Sequence, residues 1–227
     1  MLVKLGNIFF HYRNYFFPIL YAALFIPSPP LFPVLEWGLI SGAILIVSGM
    51  LVRCITVGLV YIIRGGVNRQ IHAQNLVTGG IYQVCRNPMY LGNILLILGF
   101  GLFANSLIYM AVFVPLLLFI YLGIIKAEEA FLKGKFGDEF VAFMDSTNSI
   151  LPNLGRINKA FKGQSFRFQK VIANEHNGIF MYSSGMLLLL KYHQILNWQE
   201  SIIILSVLLV FFLIAKWMKR TKRLMYW

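Results

Sequence analysis

Two short constellations in this chain of 227 residues carry side chains able to do chemistry. The first lies in a stretch from Gly65 to Pro88 that holds Gly65-Gly66, then Leu76-Val77-Thr78-Gly79-Gly80-Ile81-Tyr82, and runs into Arg86-Asn87-Pro88-Met89-Tyr90-Leu91-Gly92. Proline at the mouth of a helix suits its first turn. Backbone N–H groups at that helix start, with Arg86 beside them, favour an anionic group such as a carboxylate. The plain alternative is a connecting loop. The second constellation is Lys126-Ala127-Glu128-Glu129, followed by Phe131-Leu132 and Phe136-Gly137-Asp138-Glu139-Phe140. Adjacent helical residues differ by about 100°, so at most one of Glu128 and Glu129 faces a bundle squarely while the other meets a neighbouring helix or water. Such a carboxylate accepts hydrogen bonds from ligand hydroxyls or amines, or neutralises a cation; its plain alternative is a charged helix end.

The elements that hold these residues are set by composition. Of the chain, 59% is hydrophobic and 12% charged, and the mean hydropathy is +0.73. Soluble domains are nearer 45–50% apolar and about 25% charged, so the chain is a membrane protein. A span needs about 20 mostly apolar residues, and candidates fall near 15–34, 37–63, 89–104, 107–126, 178–196 and 201–218. The expected fold is all-α, a polytopic transmembrane helix bundle of about six spans with cytosolic cofactor-binding loops. Asn105-Ser106 gives a tight turn that makes a hairpin of the third and fourth spans. Lys191, near the end of the fifth, must snorkel to the nearer interface.

No cleavable signal is expected, and the first span stays in the mature protein. The 20 Lys and Arg against 8 Asp and Glu are read mainly as an orientation signal. Connections at 28–36, 105–106 and 197–200 hold no Lys or Arg, which places both termini and the long loops in the cytosol of an integral membrane protein, in a bacterial inner membrane or the endoplasmic reticulum. Four parts follow: 1–36, an N-terminal span and outer loop; 37–152, a core of three spans with its loops; 153–177, a basic interfacial segment; and 178–227, a two-span hairpin with a basic tail.

Within the second span Gly38, Gly42 and Gly49 fall within about 40° of one another on a helical wheel, a small-residue face for close helix packing. Arg53 lies near that face. It calls for a buried acidic partner or an anionic ligand, which makes it a candidate substrate contact, or else it snorkels at the cytosolic interface. Cys54 and Cys85 read as small buried side chains, and His11, His72, His176 and His193 have no metal-ligand spacing. No metal is expected, and a nucleic-acid partner is excluded.

The order Leu76-Val77-Thr78, Gly80, Tyr82, then Arg86-Asn87-Pro88, Tyr90, Gly92, a hydrophobic hairpin, Glu128-Glu129, Leu132 and Phe136-Gly137 resembles the isoprenylcysteine carboxyl methyltransferase and phospholipid methyltransferase superfamily. The likeness covers about residues 38–152. It implies an integral membrane enzyme that uses S-adenosylmethionine to methylate a lipophilic substrate from the bilayer, an isoprenylcysteine-like carboxylate or a phospholipid amine. Carried over, Val77, Thr78, Gly80, Tyr82, Arg86, Asn87, Pro88, Tyr90, Glu128 and Glu129 line the cofactor pocket, and Arg86, Glu128 and Glu129 are the catalytic candidates. Pocket-building is the role expected of the glutamates, with base catalysis the alternative for an amine acceptor.

Two departures stand out. Asn87 replaces a common histidine, which excludes an imidazole base there. Phe140 and Phe143 stand where tyrosines are frequent, implying a more apolar rim. A sulfonium already carries a good leaving group, so such a protein has chiefly to exclude water and align the nucleophile.

Gly99-Phe100-Gly101-Leu102-Phe103-Ala104 imitates a dinucleotide fingerprint but lies inside an apolar span, which rejects it. The rival readings are a membrane steroid or enone reductase using NADPH and a non-catalytic membrane scaffold. Between Arg156 and Lys170, cations alternate with Phe161, Phe166 and Phe168, a pattern suited to anionic membrane lipids or to a solvated loop. The last two spans allow a homodimer.

Overall fold

A computed structural model describes residues 1–60 and 71–221. Gly65-Gly66, Arg64, Arg69, Lys222 and Arg223 lie outside the described residues. The expectation of an all-α fold holds: among the described residues there are helices α1 (Leu2–Ala22), α2 (Leu35–Leu59), α3 (Pro88–Phe103), α4 (Val114–Phe136), α5 (Asp138–Ser146), α6 (Ile157–Phe161), α7 (Phe168–Tyr192) and α8 (Trp198–Arg220), with no strand. Three stretches are long and apolar enough to cross a membrane, Leu35–Leu59, Tyr109–Phe136 and Trp198–Arg220, while Pro88–Phe103 is apolar but shorter. By length and hydropathy this falls short of the six spans expected.

The difference has a physical source in α1 and α7. The first span, expected at 15–34, instead starts at Leu2 and gives way to a 3-10 turn at Ala23–Phe25. Pro27, Pro29, Pro30 and Pro33 cannot continue a helix. Arg13 and Asn14 therefore sit in mid-helix, where they line an internal cavity. Similarly α7 begins at Phe168, ten residues before the expected 178. Its first turns carry Lys170, Asn174, Glu175, His176 and Asn177, which break the apolar signal although Glu175 and His176 are buried. The boundary drawn at 177 thus falls inside a helix.

The glycine face of α2 packs as its spacing predicts. A Cβ added at Gly42 would lie 2.5 Å from the backbone nitrogen of Phe103 and 2.7 Å from the carbonyl of Gly99, and one at Gly49 would lie 2.7 Å from the carbonyl of Gly92. The two backbones touch, and only glycine permits it. Gly99, which imitates a cofactor fingerprint, is therefore a packing residue against Ile46. An equivalent contact joins α1 to α4, where a Cβ on Gly6 would fall 1.9 Å from the carbonyl of Gly123.

The connections without Lys or Arg gather at one end of the bundle. Asn105 adopts a positive φ of 49° in the expected tight turn, accepts from the backbone of Phe32 at 2.8 Å and donates back to its carbonyl at 3.0 Å. His193, just past α7, lines the same small cleft as Ser28 and Asn105. Lys191 sits in the last turn of α7 with its ammonium 4.7 Å from the Trp198 ring centroid. At that turn Asn197 and Glu200 form a reciprocal capping box that starts α8. Helix α8 packs chiefly on α7 and presents Ile202, Ile203, Val210 and Phe211 outward.

Candidate functional site

Helices α1, α2, α3, α4 and α7 enclose a cavity of about 730 Å³, within the size range of small-molecule sites. Its wall is mostly apolar and aromatic, with Phe17, Tyr21, Phe100, Tyr121 and Tyr182 contributed by four different helices. Tyr121 stacks on Phe17 at 5.0 Å and meets Tyr90 edge-on at 5.5 Å. Among the described residues the charged groups on the wall are Arg13, Arg53 and Glu128.

One end of the cavity is built by the two constellations. Pro88 stands in the first turn of α3, as its position before a helix predicts, and Asn87, Pro88, Met89 and Tyr90 all line the cavity. Tyr90 donates its hydroxyl to Glu128 Oε1 at 2.8 Å. Both groups face the cavity, so the Glu128 carboxylate is held in a fixed orientation beside the start of α3. Tyr82 reaches the same wall from the 3-10 turn Gly80–Gln83. That turn needs glycine at its start: Gly80 has φ +59°, and a Cβ there would lie 2.4 Å from the Val60 side chain.

Arg86 and Glu129 do something different. The Arg86 guanidinium donates to Glu129 Oε1 at 2.8 Å, to the carbonyl of Met144 at 2.9 Å and to that of Thr147. Glu129 also accepts from Lys126 at 2.9 Å and from Ser149 at 3.1 Å. Both partners are buried and neither lines the cavity. They clamp the 84–88 segment, the end of α4 and the 144–149 segment together, reinforced by Arg86 N–H to Asn148 and Asn87 N–H to Ser149. Asn87, which stands at the helix start, spends its side-chain amide on Ser149. Arg86 thus stands in a clasp beside the start of α3, with its Nε buried and without a hydrogen-bond partner among the described residues.

The remaining candidates separate in the same way. Val77 packs in a core beneath the cavity, Thr78 is exposed, and neither lines the cavity. Phe140 and Phe143 belong to that core with Tyr82 and Leu132 rather than to a rim. Cys85 is buried, and burial pushes its thiol up to about 11, so it stays neutral.

Arg53 finds the acidic partner its position demands. Its Nε donates to Glu175 Oε2 at 2.9 Å and its Nη2 to Oε1 at 3.0 Å, a forked pair, and Nη1 donates to Asn93. Glu175, Asn93, Arg13 and Asn14 are the polar residues that sequence reasoning missed. The need for a partner to Arg53 was the available signal, but Glu175 lies in a stretch that reads as a polar loop.

A family model described as phospholipid methyltransferase matches residues 37–139, a little under half of the chain. A cobalt-zinc-cadmium resistance protein, CzcN, of Cupriavidus metallidurans is 36% identical over 90 residues, which cover 40% of this chain and 39% of that protein. The match therefore spans about two fifths of the relative's length. No solved structure matches. The matched segment runs from the glycine face of α2 through Tyr90 to the Glu128-Glu129 pair and the start of α5, and over those residues the chain is similar to the phospholipid methyltransferase family.

Proposed function

We propose that this protein is an integral membrane methyltransferase that takes its methyl group from S-adenosylmethionine and passes it to a lipophilic acceptor held in the cavity between the helices. The observation that carries this reading is the Tyr90–Glu128 pair, which stands at the start of α3 and faces the aromatic cavity. The donor set suits the cofactor. Glu128 would accept from its hydroxyl or amino groups, Arg13 and Asn14 offer donors to a carboxylate, and the faces of Phe17, Tyr90 and Tyr121 suit a positive sulfonium.

Bound there, the cofactor supplies a methyl group on a sulfonium, which is already a good leaving group. The protein's part is to align and to exclude water. Tyr90 fixes the Glu128 carboxylate, the clasp of Arg86 and Glu129 fixes the segment that carries Asn87 and Tyr90, and the apolar walls keep the reacting atoms dry. Glu128 is a pocket-building residue in this scheme; its hydrogen bond from Tyr90 orients it as an acceptor. Six crossings, with α1 and α7 turning their polar residues inward, and cytosolic termini complete the proposed topology.

The test is transfer of a labelled methyl group from S-adenosylmethionine into the organic-soluble fraction by purified protein in membranes. Labelled lipid-soluble product is expected. Absence of transfer across lipid extracts, together with absence of S-adenosylmethionine binding, contradicts the reading.

A further inference from the structure

From Leu151 to Gln169 the chain is exposed almost throughout, with Ala160 its one fully buried residue. Large apolar side chains stand along it where a solvated loop would carry polar ones: Leu154 is 68% exposed, Phe161 45% and Phe168 63%, with Ile157 beside them. The 3-10 turn Leu154–Arg156 has about three residues per turn and runs into α6, so Leu154, Ile157 and Phe161 fall on one side of a short rod. Ala160 turns about 100° from Phe161 into the protein, Lys162 turns about 100° the other way, and Lys159 points across the rod. No Asp or Glu occurs between Asp145 and Glu175, whereas Arg156, Lys159, Lys162, Arg167 and Lys170 do. Arg156 is spent on the Ser146 carbonyl, but Lys159, Lys162 and Arg167 are exposed.

The segment is tied to the ends of two long helices. The Phe166 ring lies over Gly58 in the last turn of α2, where an added Cβ would fall 2.2 Å from it, and the Arg167 N–H donates to the Gly58 carbonyl at 2.9 Å. Helix α7 starts at Phe168. Apolar side chains and cations therefore gather where α2 ends and α7 begins, the depth of the lipid headgroups in the proposed topology. The inner side of the segment meets the cavity wall, because α6 packs on the 3-10 turn Gly80–Gln83, whose Tyr82 lines the cavity.

We infer that residues 154–168 are a docking surface for anionic headgroups of the bilayer the protein spans, and that this contact steadies the Gly80–Gln83 turn behind it. Leu154, Ile157, Phe161 and Phe168 enter the interface, and Lys162 and Arg167 flank them at the phosphates. A nucleic acid would match the charge and leave the apolar row in water; a lipid surface takes both. The wall at Tyr82 then responds to the surface charge of the membrane. Neither the docking nor the coupling depends on what the cavity binds.

The test is hydrogen–deuterium exchange, read by mass spectrometry, of purified full-length protein in nanodiscs of phosphatidylcholine alone or with about one third phosphatidylglycerol. Amides of 154–168 are expected to exchange at least about fivefold more slowly in the anionic discs, the effect of one Lys or Arg at an anionic surface, and those of 80–83 to slow with them. High salt should erase the difference, since exposed charges are screened. Lys162→Gln combined with Arg167→Gln should erase it too, whereas Lys159→Gln, on the far side of the rod, should keep it. Equal exchange of 154–168 in the two discs overturns the inference, as does slowing that survives high salt or the double variant. Slowing at 154–168 without slowing at 80–83 overturns the coupling to the cavity, and loss of the difference in Lys159→Gln overturns the orientation. If the double variant fails to fold, the wild-type comparison and its salt dependence still decide.

Discussion

Glu128 and Glu129 are neighbours in sequence with different work to do. The 100° step between them turns Glu128 to the cavity, where Tyr90 holds it, and Glu129 to the layer below, where it meets Arg86. Removing one partner of a buried, hydrogen-bonded ion pair leaves an uncompensated charge or an unfilled donor, which typically costs about 3–5 kcal/mol. Arg86→Ala is expected to lower stability by about that amount, read as a large fall in the unfolding midpoint in detergent, and Glu129→Gln to lower it in the same direction. Protein of either variant that remains folded should still bind S-adenosylhomocysteine. A direct cofactor role for Arg86 would give the reverse, a stable protein with lost binding.

Among the elements, α2 and α3 are fixed by backbone contact, and this was legible in the sequence. Gly38, Gly42 and Gly49 announced a close-packed face because glycine spacing is a local property of one helix. What the spacing could not reveal was the partner surface, Gly92 and Gly99 on α3. Gly42→Leu should block assembly of the bundle, whereas Gly79→Ala, with nothing within 4 Å of the added methyl, should leave folding unchanged; size-exclusion profiles of the two variants check this. The Asn105 turn and the helix start at Pro88 were equally legible, since turn and cap chemistry is local. The ends of α1 and α7 were not. Arg13 and Glu175 lower the hydropathy of the helices that carry them, and only the tertiary fold shows that Arg13 lines the cavity and that Glu175 is buried against Arg53. The same loss hid Glu175 as the partner of Arg53, although Arg53 itself signalled that a partner was needed.

At the scale of the whole molecule, the cation-poor connections share one end of the bundle, where Asn105 binds the 28–33 segment, and the topology we propose from the positive-inside rule has that end outside the cytosol. With both native cysteines replaced, Ser28→Cys should react with a membrane-impermeant maleimide in intact cells and Thr221→Cys only after permeabilisation; the opposite pattern would invert the topology. The family segment supplies the floor and one wall of the cavity, and α1 and α7 close it. The central claim is that the cavity end at Tyr90 and Glu128 binds the methyl donor. Calorimetric titration of purified protein with S-adenosylhomocysteine tests it most directly. Saturable binding is predicted for wild type, weakened about 10- to 100-fold in Glu128→Gln through loss of charge-assisted hydrogen bonds. Undiminished affinity in folded Glu128→Gln, or no binding by wild type, would contradict it.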